Sequence, residues 1–301
     1  MHPGKLSLLG LLVSAVLIIC GALLTSFCGE KWHLHLREGE TSSERIPFEL
    51  RLDSFRISYS EDGESPKDYI SAVTILPDST GRIISMNHIL RHKGYRFYQE
   101  KYDPDLHGST LFVSHDPWGT GLVYAGYILF FFAFLGWLIS KKAEFKIPRS
   151  LLFVLPVLFL AVTGIVAIQF SYDSLSPVLR TPLLYVHVLI IAFSYLLFGI
   201  IAICGNPARA LLYPAVFLLA TGIIIGSAWA NISWGSYWSW DPKETSALVT
   251  LLVYSAALLP IDALKRPRVF RIYSIFAFLF VLFTWLGVIF LLGGMHSYLH
   301  N

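Results

Sequence analysis

The sequence predicts a mainly α-helical, polytopic membrane protein of about seven transmembrane helices, with a small β-rich extracytoplasmic domain inserted after the first. Three observations predict it. Of 301 residues, 55% are hydrophobic and 14% charged, with a mean hydropathy of +0.60, whereas a soluble domain carries roughly 25% charge. Seven stretches come near the ~20 apolar residues that a bilayer core requires. Between the first two, residues 28–120 change to alternating apolar and polar side chains. The net charge of +3 is too small to point to a nucleic-acid partner.

The seven stretches are roughly 6–27, 121–140, 150–170, 182–204, 211–229, 244–261 and 272–293. The run from Leu6 to Phe27 is long, and its small-residue cleavage pattern is weak, so it reads as an uncleaved helix. Stretch 244–261 is the shortest, yet at about 1.5 Å per residue it still nearly spans the hydrocarbon. Cys20 and Cys204 fall in apolar stretches and read as small buried thiols, and no two of the three cysteines have a CxxC spacing.

Orientation follows from Lys and Arg in the short loops. Lys141, Lys142, Lys146 and Arg149 follow the second stretch, Arg209 the fourth, and Lys265, Arg266, Arg268 and Arg271 the sixth. With seven alternating helices, all of these fall on one side, and the opposite short loops hold only Arg180 and Lys243. The expected topology has a cytoplasmic N-terminus, with residues 28–120, the 229–245 loop and the C-terminus outside the cytoplasmic membrane of a bacterium. The expected units are a helix over 1–27, the β-rich domain 28–120, a helix and loop over 121–149, and a membrane domain over 150–301.

Within the β-rich part, Phe48, Leu50 and Leu52 alternate with Glu49, Arg51 and Asp53. Phe55, Ile57 and Tyr59 then resume after a one-residue slip, which predicts a bulge. Further strands are expected at Tyr69–Leu76, Gly94–Tyr102 and Thr110–His115.

The chemistry-bearing stretch is 229–245. Trp229, Trp234, Trp238 and Trp240, with Tyr237, cluster here, and Gly235 admits close backbone approach. Aromatic belts also gather at membrane interfaces, but they spread over many helix ends. Asp241-Pro-Lys-Glu244 has the form of a capping box with Pro at the first helical position, so Asp241 is expected mainly to launch a helix and secondarily to touch a ligand. Two of the ten histidines stand apart from the soluble domain and the termini: His187, about a turn inside its helix, and His296, just beyond Gly293-Gly294. Ionisable groups at membrane depth are costly and tend to be functional. Two imidazoles flanking a tryptophan-rich surface suit axial ligation of iron in a planar macrocycle. No residue reads as a catalytic acid or base.

The stretch Trp234-Gly-Ser-Tyr-Trp-Ser-Trp-Asp-Pro-Lys-Glu-Thr245 resembles the WWD signature of haem-handling proteins, and its ending is closer to the CcsA (ResC) branch than to CcmC or CcmF. Gly293-Gly-Met-His-Ser-Tyr298 is similar to that family's terminal Gly-x-His-Ser-Tyr motif. Thr181-Pro-Leu-Leu-Tyr-Val-His-Val188 is similar to the segment carrying its first external histidine. Leu36-Arg-Glu-Gly-Glu40, Pro47-Phe-Glu-Leu50, Gly94-Tyr-Arg-Phe-Tyr-Gln99 and His115-Asp-Pro-Trp-Gly119 resemble pieces of CcsB (ResB), in family order. The whole chain resembles a compact fused CcsB–CcsA, the cytochrome c synthase of System II maturation.

The resemblance implies a haem (b-type, as bound substrate) with His187 and His296 as axial ligands. Trp229, Trp234, Tyr237, Trp238, Trp240 and Asp241 would line its pocket. It also implies an apocytochrome c whose Cys-x-x-Cys-His thiols join the haem, with a thiol-reducing protein or a further Ccs subunit as additional partners. One departure stands out: relatives carry a histidine toward the inner end of the penultimate helix, and here Leu258-Leu-Pro-Ile-Asp262 has none. That departure leaves room for a haem-binding or transport subunit without ligase activity. A structural or assembly protein whose aromatics only anchor it is the reading from a different class.

Overall fold

The computed structural model describes residues 3–59, 66–140 and 181–288, with isolated positions between 157 and 179 and Leu292. Helix α1 (Pro3–Cys28) is followed by eight strands and then by α2 (Gly119–Ser140). The α-helices that follow among the described residues are α3 (Pro182–Cys204), α4 (Leu212–Trp234), α5 (Pro242–Ala256), a single turn α6 (Asp262–Lys265) and α7 (Pro267–Leu282).

Among the described residues, five helical spans are long and apolar enough to cross a membrane: Lys5–Cys28, Gly119–Ser140, Pro182–Cys204, Asn206–Trp234 and Pro267–Gly287. Leu6, Leu12, Val16, Ile19 and Leu23 of α1 are exposed, as expected where lipid replaces water as the surrounding medium. Stretch 150–170, the expected third span, lies almost entirely outside the described residues. The expected sixth, 244–261, forms α5 of only 15 residues, roughly 22 Å long at 1.5 Å per residue. Pro260 explains the early stop, because it lacks an N–H and disfavours helical geometry in the residue before it. Helices α1 and α2 lie in close contact through small residues. A Cβ on Gly21 would come within 2.7 Å of Val123 Cγ2, and one on Gly126 within 2.7 Å of Ile18 Cγ1. Cys20 and Cys204 are exposed rather than buried; each lies on the side of its helix turned away from the neighbouring helices.

The strands form two four-stranded antiparallel sheets, ordered β1-β8-β7-β6 and β2-β3-β4-β5. The first joins β1 (Glu30–Arg37), β6 (Leu90–His92), β7 (Tyr95–Tyr102) and β8 (Gly108–His115). The second joins β2 (Thr41–Ser42), β3 (Glu49–Tyr59), β4 (Pro66–Leu76) and β5 (Thr80–Ser85). Alternation dictates the packing: Leu34, Leu36, Leu50, Leu52, Val73, Phe97 and Leu111 turn inward between the sheets, each burial worth about 1.5–3 kcal/mol. The expected slip in β3 is a register shift between Leu52 and Ser54. The expected strands at 69–76, 94–102 and 110–115 correspond to β4, β7 and β8. Ser71 of β4 donates to Gln99 Oε1 of β7 at 2.6 Å, a buried polar tie between the sheets.

Two of the basic stretches, at Arg209 and at 262–271, meet at the end of α4 far from the sandwich, while 141–149 lies outside the described residues. The Arg209 guanidinium donates to Leu264 O at 2.6 Å and lies 4.5 Å from the centre of the Phe270 ring. The 203–209 and 262–271 turns therefore share one side of the helix bundle.

Candidate functional site

The site forms where the sandwich meets the other end of α4. Helix α4 runs five residues beyond the expected end at 229, so Trp229 and Trp234 belong to the helix and not to a loop. Nothing in Trp229-Ala-Asn-Ile-Ser-Trp234 interrupts helical hydrogen bonding. Gly235 ends it, with a left-handed φ of 78° and its N–H on Asn231 O, the geometry glycine supplies at a C-cap. A Cβ at Gly235 would come within 2.8 Å of Phe112 and 3.0 Å of Tyr98, so the same glycine admits two rings of the sandwich.

Asn231, buried at this turn, is the node between the two parts. Its main-chain oxygen accepts from the Tyr98 hydroxyl at 3.1 Å. Its side-chain oxygen accepts from Arg96 Nη1 at 3.1 Å and from the Tyr124 hydroxyl of α2 at 3.3 Å. Asp116, just before α2, is a second node. It accepts from Thr25 Oγ1 of α1 at 2.7 Å, from the main-chain N–H groups of Gly119 and Thr120 at 2.8 Å each, and from Thr120 Oγ1 at 2.6 Å. Burial alone would raise this carboxyl, but the donors outweigh it and hold Asp116 below the usual carboxylate range. The Tyr237 hydroxyl joins the same group through Thr25, and Tyr237 O accepts from Ser227 Oγ at 2.7 Å. Tyr237 thus spends its polar groups on positioning the segment.

Asp116→Ala should destabilise the junction by about 1–2 kcal/mol, the cost of a lost helix cap. Because the folded carboxyl titrates below its unfolded value, its contribution is present above the unfolded value and is lost as pH falls through the folded one. Thermal unfolding in detergent should show the wild type approaching the variant on acidification, with the largest gap at neutral pH.

His187 sits on the second turn of α3. Its Nδ1 lies 2.7 Å from Gly222 O of α4. A carbonyl can only accept, so Nδ1 donates here, a contact of the kind that orients a metal-ligating histidine. Gly226 makes room: a Cβ there would lie 2.5 Å from the ring's Cε1. Leu184 and Val188, on either side of His187 in sequence, pack in one cluster with Trp229 and Trp234.

The Trp229 and Trp234 rings meet edge to face at 4.6 Å, and Trp238 meets Trp240 the same way at 5.8 Å. Trp240 is 70% exposed. The indole N–H groups of Trp229, Trp234 and Trp238 are buried and have no acceptor among the described residues, and a buried donor left unmade costs about 1–3 kcal/mol. Asp241 behaves as its motif predicts: its carboxylate accepts from Lys243 N at 2.8 Å, and Glu244 accepts from Asp241 N at 3.3 Å, closing the capping box. His296, with Gly293, Gly294 and Met295, lies outside the described residues. Among the described residues, then, the helix turn that carries His187 packs on Trp229 and Trp234 through Leu184 and Val188. Asp241 and Tyr237 shape the segment, and Trp240 faces outward.

Sequence reasoning missed Gly226, Asn231, Arg96, Tyr98 and Asp116 as parts of this site. Arg96, Tyr98 and Asp116 lie inside motifs quoted for the N-terminal resemblance, so the signal was present. Their partners are 135, 133 and, for Asp116 and Tyr237, 121 residues away, which no local pattern reveals.

Comparison with known proteins gives two matches in this order. Residues 4–117 match the ResB-like family, and residues 203–296 match the Cytochrome C assembly protein family. The second match contains the tryptophan stretch and His296, while His187 precedes it. Protein NrfI of Wolinella succinogenes is 32% identical over 223 residues, 64% of this chain and 23% of that protein. Cytochrome c biogenesis protein CcsA of Pyropia yezoensis is 50% identical over 82 residues, 27% of this chain and 26% of its own. CcsA of Gloeobacter violaceus is 46% identical over 82 residues, 27% and 24%. The matched region spans about a quarter of the length of these relatives. This multi-pass membrane chain is therefore similar to cytochrome c biogenesis proteins, with a ResB-like part followed by a cytochrome c assembly part, the order of a fused CcsB–CcsA protein.

Proposed function

We propose that this protein acts in cytochrome c maturation by holding haem at the non-cytoplasmic membrane face and promoting its covalent attachment to apocytochrome c. The observation that carries this reading is the His187 imidazole held by Gly222 O against the face of α4 at Gly226, with its neighbours Leu184 and Val188 packed on Trp229 and Trp234. His187 would bind the iron through Nε2, with His296 as the second ligand, and Trp229, Trp234, Tyr237, Trp238, Trp240 and Asp241 would line or support the pocket. The tryptophans would wall the ring and donate to its carboxylates. Haem, a b-type substrate, supplies two vinyl groups; each client cysteine adds its sulfur to one vinyl carbon and a proton ends on the other, with no net redox change. The chain's own part is to position the ring and exclude water.

We take the chain to have seven spans with the basic loops cytoplasmic; in support, Arg209 and the 262–271 segment lie together at the end of α4 opposite the site. The membrane would be the bacterial cytoplasmic membrane. We take residues 28–120 as the soluble unit and 150–301 as the haem-handling unit. Reductants for client thiols or a further Ccs subunit would work alongside.

Co-expression with an apocytochrome c in a host lacking its own maturation system tests the reading. Haem that stays on the client through denaturing electrophoresis is the expected result. Haem bound to this chain with none on the client would instead make it a carrier, which the missing histidine in Leu258–Asp262 favours. No haem on either would leave an assembly role only.

A further inference from the structure

An open cleft of about 460 Å³ lies beside the start of α2, bordered by Arg91, Lys93, Arg96, Thr120, Tyr124 and Asn231. Arg91 and Arg96 are direct cross-strand partners in the β6–β7 hairpin, and like charges so placed destabilise an antiparallel pair. Lys93 occupies the intervening turn. Across the sheet, burial and the Arg96 guanidinium hold the Lys31 ammonium below its usual range, with Asp116 opposing. Among the described residues, no carboxylate forms an ion pair with Arg91, Lys93 or Arg96. The side-chain partners of Arg96 are Asn231, Ser114 and Thr120, all neutral. Asp116, the one carboxylate in the lining, has its oxygens taken up by Thr25, Gly119 and Thr120. The cleft therefore gathers cations that repel one another and await an anion.

That anion is not one held in the tryptophan pocket. Ser227 and Asn231, four residues apart on one face of α4, meet Tyr127 and Tyr124 of α2, whereas Gly222 and Gly226 meet His187 of α3. The cleft and the imidazole lie on different sides of α4. Depth identifies the anion's source: Thr120 and Tyr124 stand in the first two turns of the apolar span Gly119–Ser140, and Trp118 beside them is 70% exposed, as an interfacial anchor would be. A cation cluster at that level meets lipid headgroups.

We propose that this cleft binds the phosphate of an anionic phospholipid headgroup, seating the β-sandwich on the membrane surface. The full chain reconstituted in equal phosphatidylglycerol and phosphatidylcholine, then extracted and weighed by native mass spectrometry, should retain phosphatidylglycerol in excess. In the R91Q/K93Q variant the excess should fall roughly fivefold for each charge removed, with no loss of melting temperature in lipid-free detergent, since removing Arg91 relieves the Arg91–Arg96 repulsion. Arg91→Lys should keep the excess. Equal retention of both lipids by the wild type, or an undiminished excess in R91Q/K93Q, overturns the proposal. So does inorganic phosphate alone stabilising lipid-free wild type but not R91Q/K93Q, which would assign the cleft to a soluble anion. Visible spectra should be the same in wild type and variant, separating this test from that of the haem pocket.

Discussion

Gly226→Ala should weaken haem retention by about 10- to 100-fold, the range seen when the support of a metal-ligating histidine is disturbed. The added methyl would stand 2.5 Å from Cε1 and 2.6 Å from Nδ1 of His187, so the imidazole must leave Gly222 O and its orientation is lost. Helix propensity runs the other way: alanine in place of a mid-helix glycine favours the helix by roughly 0.5–1 kcal/mol. The diagnostic result is lost haem absorbance in a protein whose circular dichroism and melting are undiminished. Retained haem with a normal spectrum would show that the ring position does not matter.

Gly235→Val should cost about 3 kcal/mol or more. A β-branched residue is a poor occupant of the left-handed region, where Gly235 sits at φ 78°, and its side chain would drive into Phe112 and Tyr98, an overpacking penalty of 1–3 kcal/mol. The break falls at the junction, so the Asn231 contacts with Arg96 and Tyr98 should go with it. Limited proteolysis should release the sandwich faster than in wild type, while each part keeps its secondary structure. Gly235→Asn separates the causes: asparagine tolerates the left-handed conformation but still meets the two rings, so it should lose only the steric share.

Much of this architecture was legible because its signals are local. Alternation of Phe48, Leu50 and Leu52 against charged neighbours forecast a half-buried strand, and the slip at Asp53–Ser54 forecast the bulge. The sequence Asp241-Pro-Lys-Glu244 forecast a capping box because its hydrogen bonds close within four residues. The end of α4 was misplaced because Trp229 to Trp234 carries no breaker, and aromatic density was read as loop. Strand β1 went unread, although Trp32, Leu34 and Leu36 alternate with Lys31, His33 and His35. The junction through Asn231 and Asp116 was invisible for a different reason: apart from the local cap of Asp116 on Gly119 and Thr120, its partners lie about a hundred residues or more apart, and only the docking of the sandwich onto the helices brings them together. His187 could be singled out by its apolar surroundings, but its orientation depends on Gly222 O, which no spacing rule supplies.

The most direct test is the visible spectrum of the full chain purified from a haem-replete host, beside that of a His187→Ala/His296→Ala double variant. The account predicts a red wild-type protein with a low-spin Soret peak and sharp α and β bands, and a double variant without them. A double variant whose bands match those of the wild type, or a wild type that binds no haem, would contradict it.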